Sequence, residues 1–260
     1  HLAQKTSFPK DQIKVLLLEN IHPLARELFA SEGFQIETLP GALNEEQLKE
    51  KIRDVHVLGI RSKTYVSDAV LADAKRLLTL GCFCIGTNQV ELEAAKARGI
   101  PVFNAPFGNT RSVAEMIVAE IIMLSRQLGQ RSMEMHSKTW KKVSNGCFEV
   151  RGKTLGIIGY GHIGSQVSTL AEALGMRVLF FDILSKLPLG NAKAANTLAN
   201  ILRDSDFLTL HVPGTPQTHN MIGVEQLKMM KKGAYLINAS RGTVVDIPAL
   251  RDAMKSGHLS

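Results

Sequence analysis

One stretch of this 260-residue chain sharply limits what can be built around it. Leu155-Gly156-Ile157-Ile158 is a short apolar run that reads as a buried strand. It passes directly into Gly159-Tyr160-Gly161-His162-Ile163-Gly164. An amphipathic helical pattern follows to about Leu174, and Gly175 stands where a helix-terminating glycine belongs. A second apolar run over 177–181 then ends in Asp182. Each part of this pattern has a mechanical reason. Gly159 permits a tight turn, Gly161 lets a diphosphate approach the backbone, and Gly164 lets the helix pack closely on the strand.

G-x-G-x-x-G alone is weak evidence. Here the strand before it, the helix after it, the second strand and the acid are all in register. The reading is a Rossmann cofactor site. The helix N-terminus presents unpaired amides and a partial positive charge to the phosphates. Asp182, at the tip of the second strand, is placed to accept hydrogen bonds from both ribose hydroxyls of the adenosine. Its carboxylate repels a 2′-phosphate, so the cofactor expected is NAD rather than NADP.

The rest of the chain alternates in the same way. Apolar runs over 13–18, 35–39, 56–60, 77–84 and 101–103 read as strands, and helical patterns lie between them. Pro23 opens one helix and Gly33 closes it, while Asn44 caps the helix over 45–53. A long helix is expected from Thr110 to Arg126, followed by a charged, irregular segment through Trp140 to Val150. A second alternating series begins at Lys153. Strands alternating with helices mean parallel strands joined by right-handed crossovers. The fold expected is α/β: two Rossmann-like or flavodoxin-like doubly wound parallel-sheet domains, over 1–108 and 109–260, both incomplete at the C-terminal side.

Composition narrows the class further. Hydrophobic residues make up 45% of the chain, which suits a protein with a packed core, and no apolar run is long enough to span a bilayer. No secretory signal pattern opens the chain, and His1 in place of Met reads as a trimmed start. A cytoplasmic location with no membrane partner is expected. Cys82, Cys84 and Cys147 are too few and too irregularly spaced for a disulfide framework or a metal site, and the first two read as small hydrophobes in a buried strand. The net charge of +7 would permit nucleic-acid binding. The basic residues are scattered, however, and aromatics make up only 5%, so no nucleic-acid partner is expected.

Two further segments place polar residues at strand ends, where ligands bind in such sheets. Phe207-Leu208-Thr209-Leu210 leads into His211-Val212-Pro213. Ala234-Tyr235-Leu236-Ile237 leads into Asn238-Ala239-Ser240-Arg241-Gly242-Thr243. With these residues the chain resembles the D-isomer-specific 2-hydroxyacid dehydrogenases from about Lys14 to its last residue. Arg61-Ser62-Lys63-Thr64, Gly86-Thr87-Asn88-Gln89-Val90 and the segment 104–115 carry the resemblance as well. The strings 81–90 and Lys186-Leu187-Pro188-Leu189-Gly190-Asn191-Ala192 resemble the bacterial branch of that family that acts on a phosphorylated hydroxyacid.

The resemblance implies NAD-dependent oxidation of 3-phospho-D-glycerate to 3-phosphohydroxypyruvate, at the entry to serine biosynthesis, by a homo-oligomer. It implies that Arg241 binds the substrate carboxylate and polarises the C2 oxygen. It assigns His162 and Ile163 to the pyrophosphate through their amides, Asp182 to the ribose, and Ala239, Ser240 and Arg241 to the nicotinamide half. Arg61, Ser62, Lys63 and Asn109 would meet the substrate, the basic pair near its phosphate, and the Gly86 turn would offer amides to the carboxylate. On the residues alone, Arg61 and Lys63 fit an anion site or a solvated loop equally well, and Arg241 could cap the sheet as a surface arginine. Glu91, Gly108 and Lys63 depart from residues common among relatives, and none of them touches the reaction centre.

His211, at a strand tip beside a cofactor site, is by position an obvious acid/base candidate. The resemblance moves it to the cofactor pocket with Val212 and Pro213, because the family's catalytic histidine follows further strands in a Pro-His pair supported by an upstream glutamate. Neither is found before Ser260, so these residues alone are expected not to turn over. Two alternatives stay open. One is another 2-hydroxyacid oxidoreductase, of the glyoxylate or D-lactate type. The other is a non-catalytic NAD-sensing protein like the corepressors built on this fold.

Overall fold

The computed structural model describes residues 8–260; His1, read above as a trimmed start, lies outside them. The chain forms two compact units that divide between Asn109 and Thr110, so Asn109 closes the first unit.

In the first unit the elements run β1 (Lys14–Leu17), α1 (Pro23–Ser31), β2 (Gln35–Thr38), α2 (Glu45–Ile52), β3 (Val57–Ile60), α3 (Asp68–Asp73), β4 (Thr79–Cys82), α4 (Leu92–Ala97) and β5 (Val102–Asn104). The expected punctuation is in place. Pro23 occupies the first turn of α1, and the His22 ring accepts the Leu24 amide at 3.2 Å. Asn44 and Gln47 form a reciprocal capping box on α2. All strands pair in parallel, in the order β2-β1-β3-β4-β5. That is the flavodoxin-like doubly wound order, which reverses direction between β1 and β3. Leu16, Leu58, Ile60 and Leu80 from the strands pack with Leu48 and Ile52 of α2 and with Val70 and Leu71 of α3.

The second unit opens with α5 (Thr110–Ser125) and α6 (Leu128–His136). It continues through β6 (Thr154–Ile158), α7 (His162–Ala173), β7 (Arg177–Phe181), β8 (Lys193–Ala194), α8 (Leu198–Asp204), β9 (Phe207–Leu210), α9 (Val224–Met229), β10 (Tyr235–Asn238) and α10 (Ile247–Lys255). The parallel order is β10-β9-β6-β7-β8. Counted from the unit's own first strand and read from the β8 edge, this is the Rossmann order 3-2-1-4-5, with the switch between β6 and β9. Both central strands are buried throughout, as sheets covered on both faces require. One layer joins Ile117 and Ile121 of α5 to Val167 and Ala171 of α7 and to Leu155 and Ile157. The opposite layer gathers Ile158, Leu208 and Leu210 with Ile201 of α8 and Leu227 of α9.

Two local expectations change. The segment after α5 is not wholly irregular: Gln127 turns left-handed (φ 53°), and α6 starts at the next residue. Trp140, on the arm after α6, is 74% exposed. Cys82 is buried, and burial raises its thiol to about 11. Cys84 lies beyond the end of β4, half-buried, its Sγ donating to the Gly86 carbonyl at 3.2 Å. All three cysteines are free. Among the described residues, no helix is long and apolar enough to cross a membrane, and no group of three or more His, Cys, Asp or Glu side chains could hold a metal ion.

Phe207 shows how tightly the second unit is packed. Its ring is fully buried and stacks on Tyr235 with centroids 5.0 Å apart. Phe207→Ala is expected to cost about 3–5 kcal/mol of unfolding free energy, measured by urea denaturation. A loss below about 1 kcal/mol would mean the site repacks freely.

Candidate dinucleotide site and anion loop

The second unit's site is built where its strands end. Gly159 follows β6 with φ +92°, a backbone state that side chains other than glycine seldom adopt. A Cβ there would lie 2.4 Å from the His211 carbonyl oxygen, and one on Gly164 would lie 2.2 Å from the Gly159 carbonyl oxygen. Gly161 differs, because a Cβ on it would meet nothing within 4 Å. The turn is therefore closed on its inner side and open above α7. No side chain caps α7 at Gly161, so its first amides face this open ground, with His162 exposed and Ile163 half-buried.

Asp182 is tied to the same turn. Its Oδ2 accepts the Tyr160 amide at 2.8 Å, and its Oδ1 accepts the Leu184 amide at 2.9 Å. Each carboxylate oxygen keeps a second acceptor direction, and the residue is only half-buried. Tyr160, the variable residue inside the glycine motif, is a site residue that sequence reasoning passed over. Its ring stacks on Phe180 at 3.8 Å, and its hydroxyl donates to Ser168 Oγ and accepts the Leu189 amide. The Glu172 carboxylate accepts the Asn191 amide, so the distinctive segment 186–192 is held to this side of the sheet at two points. A buried aromatic between two motif glycines was the signal available for Tyr160.

Across the switch point, the His211 amide donates to the Ile158 carbonyl at 2.8 Å, which sets 211–213 beside the glycine turn. Burial pulls the His211 imidazole down to about 4, and its Nε2 lies 3.0 Å from Thr209 Oγ1. A ring that is neutral at pH 7 with so low a basicity is poorly matched to general-base work. After β10, the Asn238 Oδ1 accepts both the amide and the hydroxyl of Ser240, while its Nδ2 donates to the Arg241 carbonyl. This Asx-type turn leaves Ala239 and Ser240 half-buried and the Arg241 side chain exposed, lying against Gly214. The arrangement fits a dinucleotide: an open backbone cradle at Gly161, uncapped helix amides, and a carboxylate one strand away with acceptor capacity to spare.

In the first unit the sequence-assigned residues gather at the corresponding edge of the sheet. Arg61, Ser62 and Lys63 follow β3 at the point where strand order reverses, and all three are exposed. Gly86 lies on the turn after β4, and Gln89 Nε2 donates to both the Gly86 and Arg61 carbonyls. Asn109 is exposed at the last position of the unit. Glu19, which follows β1, was given no role by the sequence reading, although an acid at a strand tip was the signal used for Asp182.

These features define a protein with a dinucleotide-binding α/β unit and a second doubly wound unit that carries basic residues at its switch point. Residues 118–260 match the family described as D-isomer specific 2-hydroxyacid dehydrogenase, NAD binding domain. The chain belongs to that family. It is 61% identical over 255 residues to D-3-phosphoglycerate dehydrogenase of Dictyostelium discoideum, a match covering 98% of this chain and 63% of that protein. The chain thus spans less than two thirds of that relative's length. Among solved structures, it is similar to the TT0316 protein of Thermus thermophilus, with a TM-score of 0.88, 30% identity, and coverage of 95% of this chain and 79% of that one. It is also similar to Aquifex aeolicus D-lactate dehydrogenase complexed with NAD and lactic acid, with a TM-score of 0.81, 28% identity, and coverage of 94% and 74%.

Two outcomes test the electrostatics of the second unit. Asp182→Ala should weaken NADH binding, followed by fluorescence titration, at least about tenfold, because hydrogen bonds to a charged acceptor contribute about 1.5–3 kcal/mol; unchanged affinity would count against the ribose assignment. For His211 the folded ring resists protonation while the unfolded one accepts it from the ordinary value of 6.5 downward. Stability is therefore full above pH 6.5 and falls as the pH drops toward about 4, below which the loss levels off. NMR should find the ring titrating near 4, and a midpoint near 6.5 would refute the burial argument.

Proposed function

We propose that this chain provides the substrate-binding unit and the NAD-binding unit of a D-3-phosphoglycerate dehydrogenase, oxidising 3-phospho-D-glycerate to 3-phosphohydroxypyruvate in the first step of L-serine biosynthesis. The observation that carries this reading is 61% identity, across nearly the whole chain, to a relative bearing that name. The geometry supports it, since the exposed basic pair Arg61 and Lys63 stands at the switch point where a sheet of this order takes its ligand.

Bound NAD supplies the acceptor for the hydride that leaves C2 of the hydroxyacid. The chain's own residues bind and orient. Amides of His162 and Ile163 at the start of α7 receive the pyrophosphate, and Gly159, Gly161 and Gly164 let it approach. Asp182 accepts the ribose hydroxyls and disfavours a 2′-phosphate. His211, Val212 and Pro213 wall the pocket beside the turn, with Ala239 and Ser240 at the nicotinamide half. Arg241 has the planar fork to pair with the substrate carboxylate while donating to the C2 oxygen, which stabilises negative charge developing there; the base that takes the hydroxyl proton is not supplied by the described residues. Arg61 and Lys63 neutralise the phosphate, Ser62 and Asn109 add hydrogen bonds, and the Gly86 turn offers amides to the carboxylate.

The protein is further proposed to act in the cytoplasm as a homo-oligomer. Exposed apolar side chains on α5, α6 and the following arm support the second point: Met123 (47%), Met133 (66%), Met135 (54%) and Trp140 (74%).

Steady-state kinetics of the full-length protein on 3-phospho-D-glycerate and D-lactate, as wild type and as Arg61→Ala, test the reading. Wild type should prefer the phosphorylated acid, and Arg61→Ala should raise its KM about tenfold or more, with little change in kcat. Preference for lactate would favour a different 2-hydroxyacid enzyme. Tight NADH binding without turnover on either acid would favour a cofactor-sensing protein.

A further inference from the structure

We infer that Glu19 and Gln89 are positioning residues for substrate recognition, gripping the backbone of the loop 61–64 from two sides so that the Arg61 and Lys63 side chains are held toward the incoming anion; this rests on the proposed role of Arg61 and Lys63 at the phosphate. The first unit's sheet reverses its strand order between β1 and β3, and Glu19 and Arg61 stand on the two lips of that crevice.

Glu19 and Asn20 both adopt left-handed backbone (φ 61° and 50°), which non-glycine residues keep only where their surroundings over-determine it. The Glu19 side chain is 7% exposed and turned under the loop. Its Oε1 accepts the amides of Arg61 (3.2 Å) and Thr64 (2.9 Å), and its Oε2 accepts that of Lys63 (3.0 Å). Burial pushes the carboxyl up, but these amides outweigh it and hold the group below the usual carboxylate range. Converging backbone amides commonly cradle anions. Here the chain's own carboxylate fills that cradle from the inside. The amides of Arg61, Lys63 and Thr64 are committed inward, so the side chains of Arg61, Ser62 and Lys63 are the loop's main groups for recognition.

Gln89 completes the grip from the other side. It is 6% exposed, and its Nε2 donates to the carbonyls of Arg61 (2.6 Å) and Gly86 (3.0 Å). One amide group thus couples the basic loop to the turn proposed to meet the substrate carboxylate. The spacing between a phosphate site and a carboxylate site is the quantity that would distinguish a phosphorylated three-carbon acid from a smaller one.

The test uses the intact protein carrying Glu19→Gln or Gln89→Leu, with Arg61→Ala in parallel. Glu19→Gln replaces one acceptor with an NH2 that faces a loop amide; Gln89→Leu removes both donors at similar size. Either variant should raise KM for 3-phospho-D-glycerate about tenfold, keep kcat within about twofold, and leave the NADH dissociation constant unchanged. The inhibition constant for inorganic phosphate should rise in parallel with KM. If Glu19→Gln fails to fold, Gln89→Leu carries the same readouts. An Arg61→Ala variant with wild-type KM would overturn the phosphate reading itself. A raised KM in Arg61→Ala together with wild-type KM in the positioning variants, whatever their melting temperatures, would overturn this inference alone. So would a fall in kcat at constant KM.

Discussion

At the carboxyl end of β6 there is no room for a side chain on Gly159 or Gly164, and the remaining features of the second unit's site depend on that exclusion. Backbone meets backbone there: the His211 carbonyl lies against Gly159, and the Gly159 carbonyl lies against Gly164. The close approach brings the start of α7 to the sheet edge, and with it the helix amides that an anionic diphosphate needs. A larger residue at either position would move α7 away from the strand, and Asp182, bonded to the Tyr160 amide, would lose its register with the turn. Binding competence in such a unit is thus a packing property first and an electrostatic one second.

A similar device recurs in the first unit with its sense reversed. In both units a carboxylate at a strand tip accepts amides from a neighbouring segment: Asp182 from Tyr160 and Leu184, Glu19 from Arg61, Lys63 and Thr64. Asp182 is half-buried and retains acceptor capacity toward a ligand. Glu19 is buried, and its acceptor capacity is largely consumed by the loop it supports. The difference is one of exposure rather than residue type: the same chemistry leaves acceptor capacity open to a ligand in one unit and braces a loop in the other.

Much of this could be read from the residues. The alternation of apolar runs with capped helical patterns yields two parallel-sheet units, because Pro23, Asn44 and Gly175 mark element ends through local backbone physics alone. The turn at 159–164 and the acid at 182 were legible because each position answers to a steric or electrostatic demand. Strand order came only with the doubly wound class implied by the glycine turn and the alternation, since no local pattern within the crossovers encodes the reversals at β2-β1-β3 and β10-β9-β6. The helix α6 escaped notice for a related reason. It buries none of its residues, so the apolar periodicity that reveals a helix packed on a core is missing there.

The residues least visible in advance are those that act on other residues. Arg61 and Lys63 advertise themselves by charge, and the glycines by their spacing. Gln89 and Glu19 carry no such mark, because a buried amide or carboxylate is recognised by the backbone groups it satisfies, and these come from segments 28 and 42–45 residues away in sequence. Leaving buried donors and acceptors unpaired is costly. Once β1 and β3 are neighbours, the inward-turned amides of Arg61, Lys63 and Thr64 therefore require an acceptor beneath them, and Glu19 is the group that meets the requirement. On the proposed reading, specificity for an anion at this edge of the sheet is written partly in exposed cations and partly in the buried polar groups that decide where those cations stand.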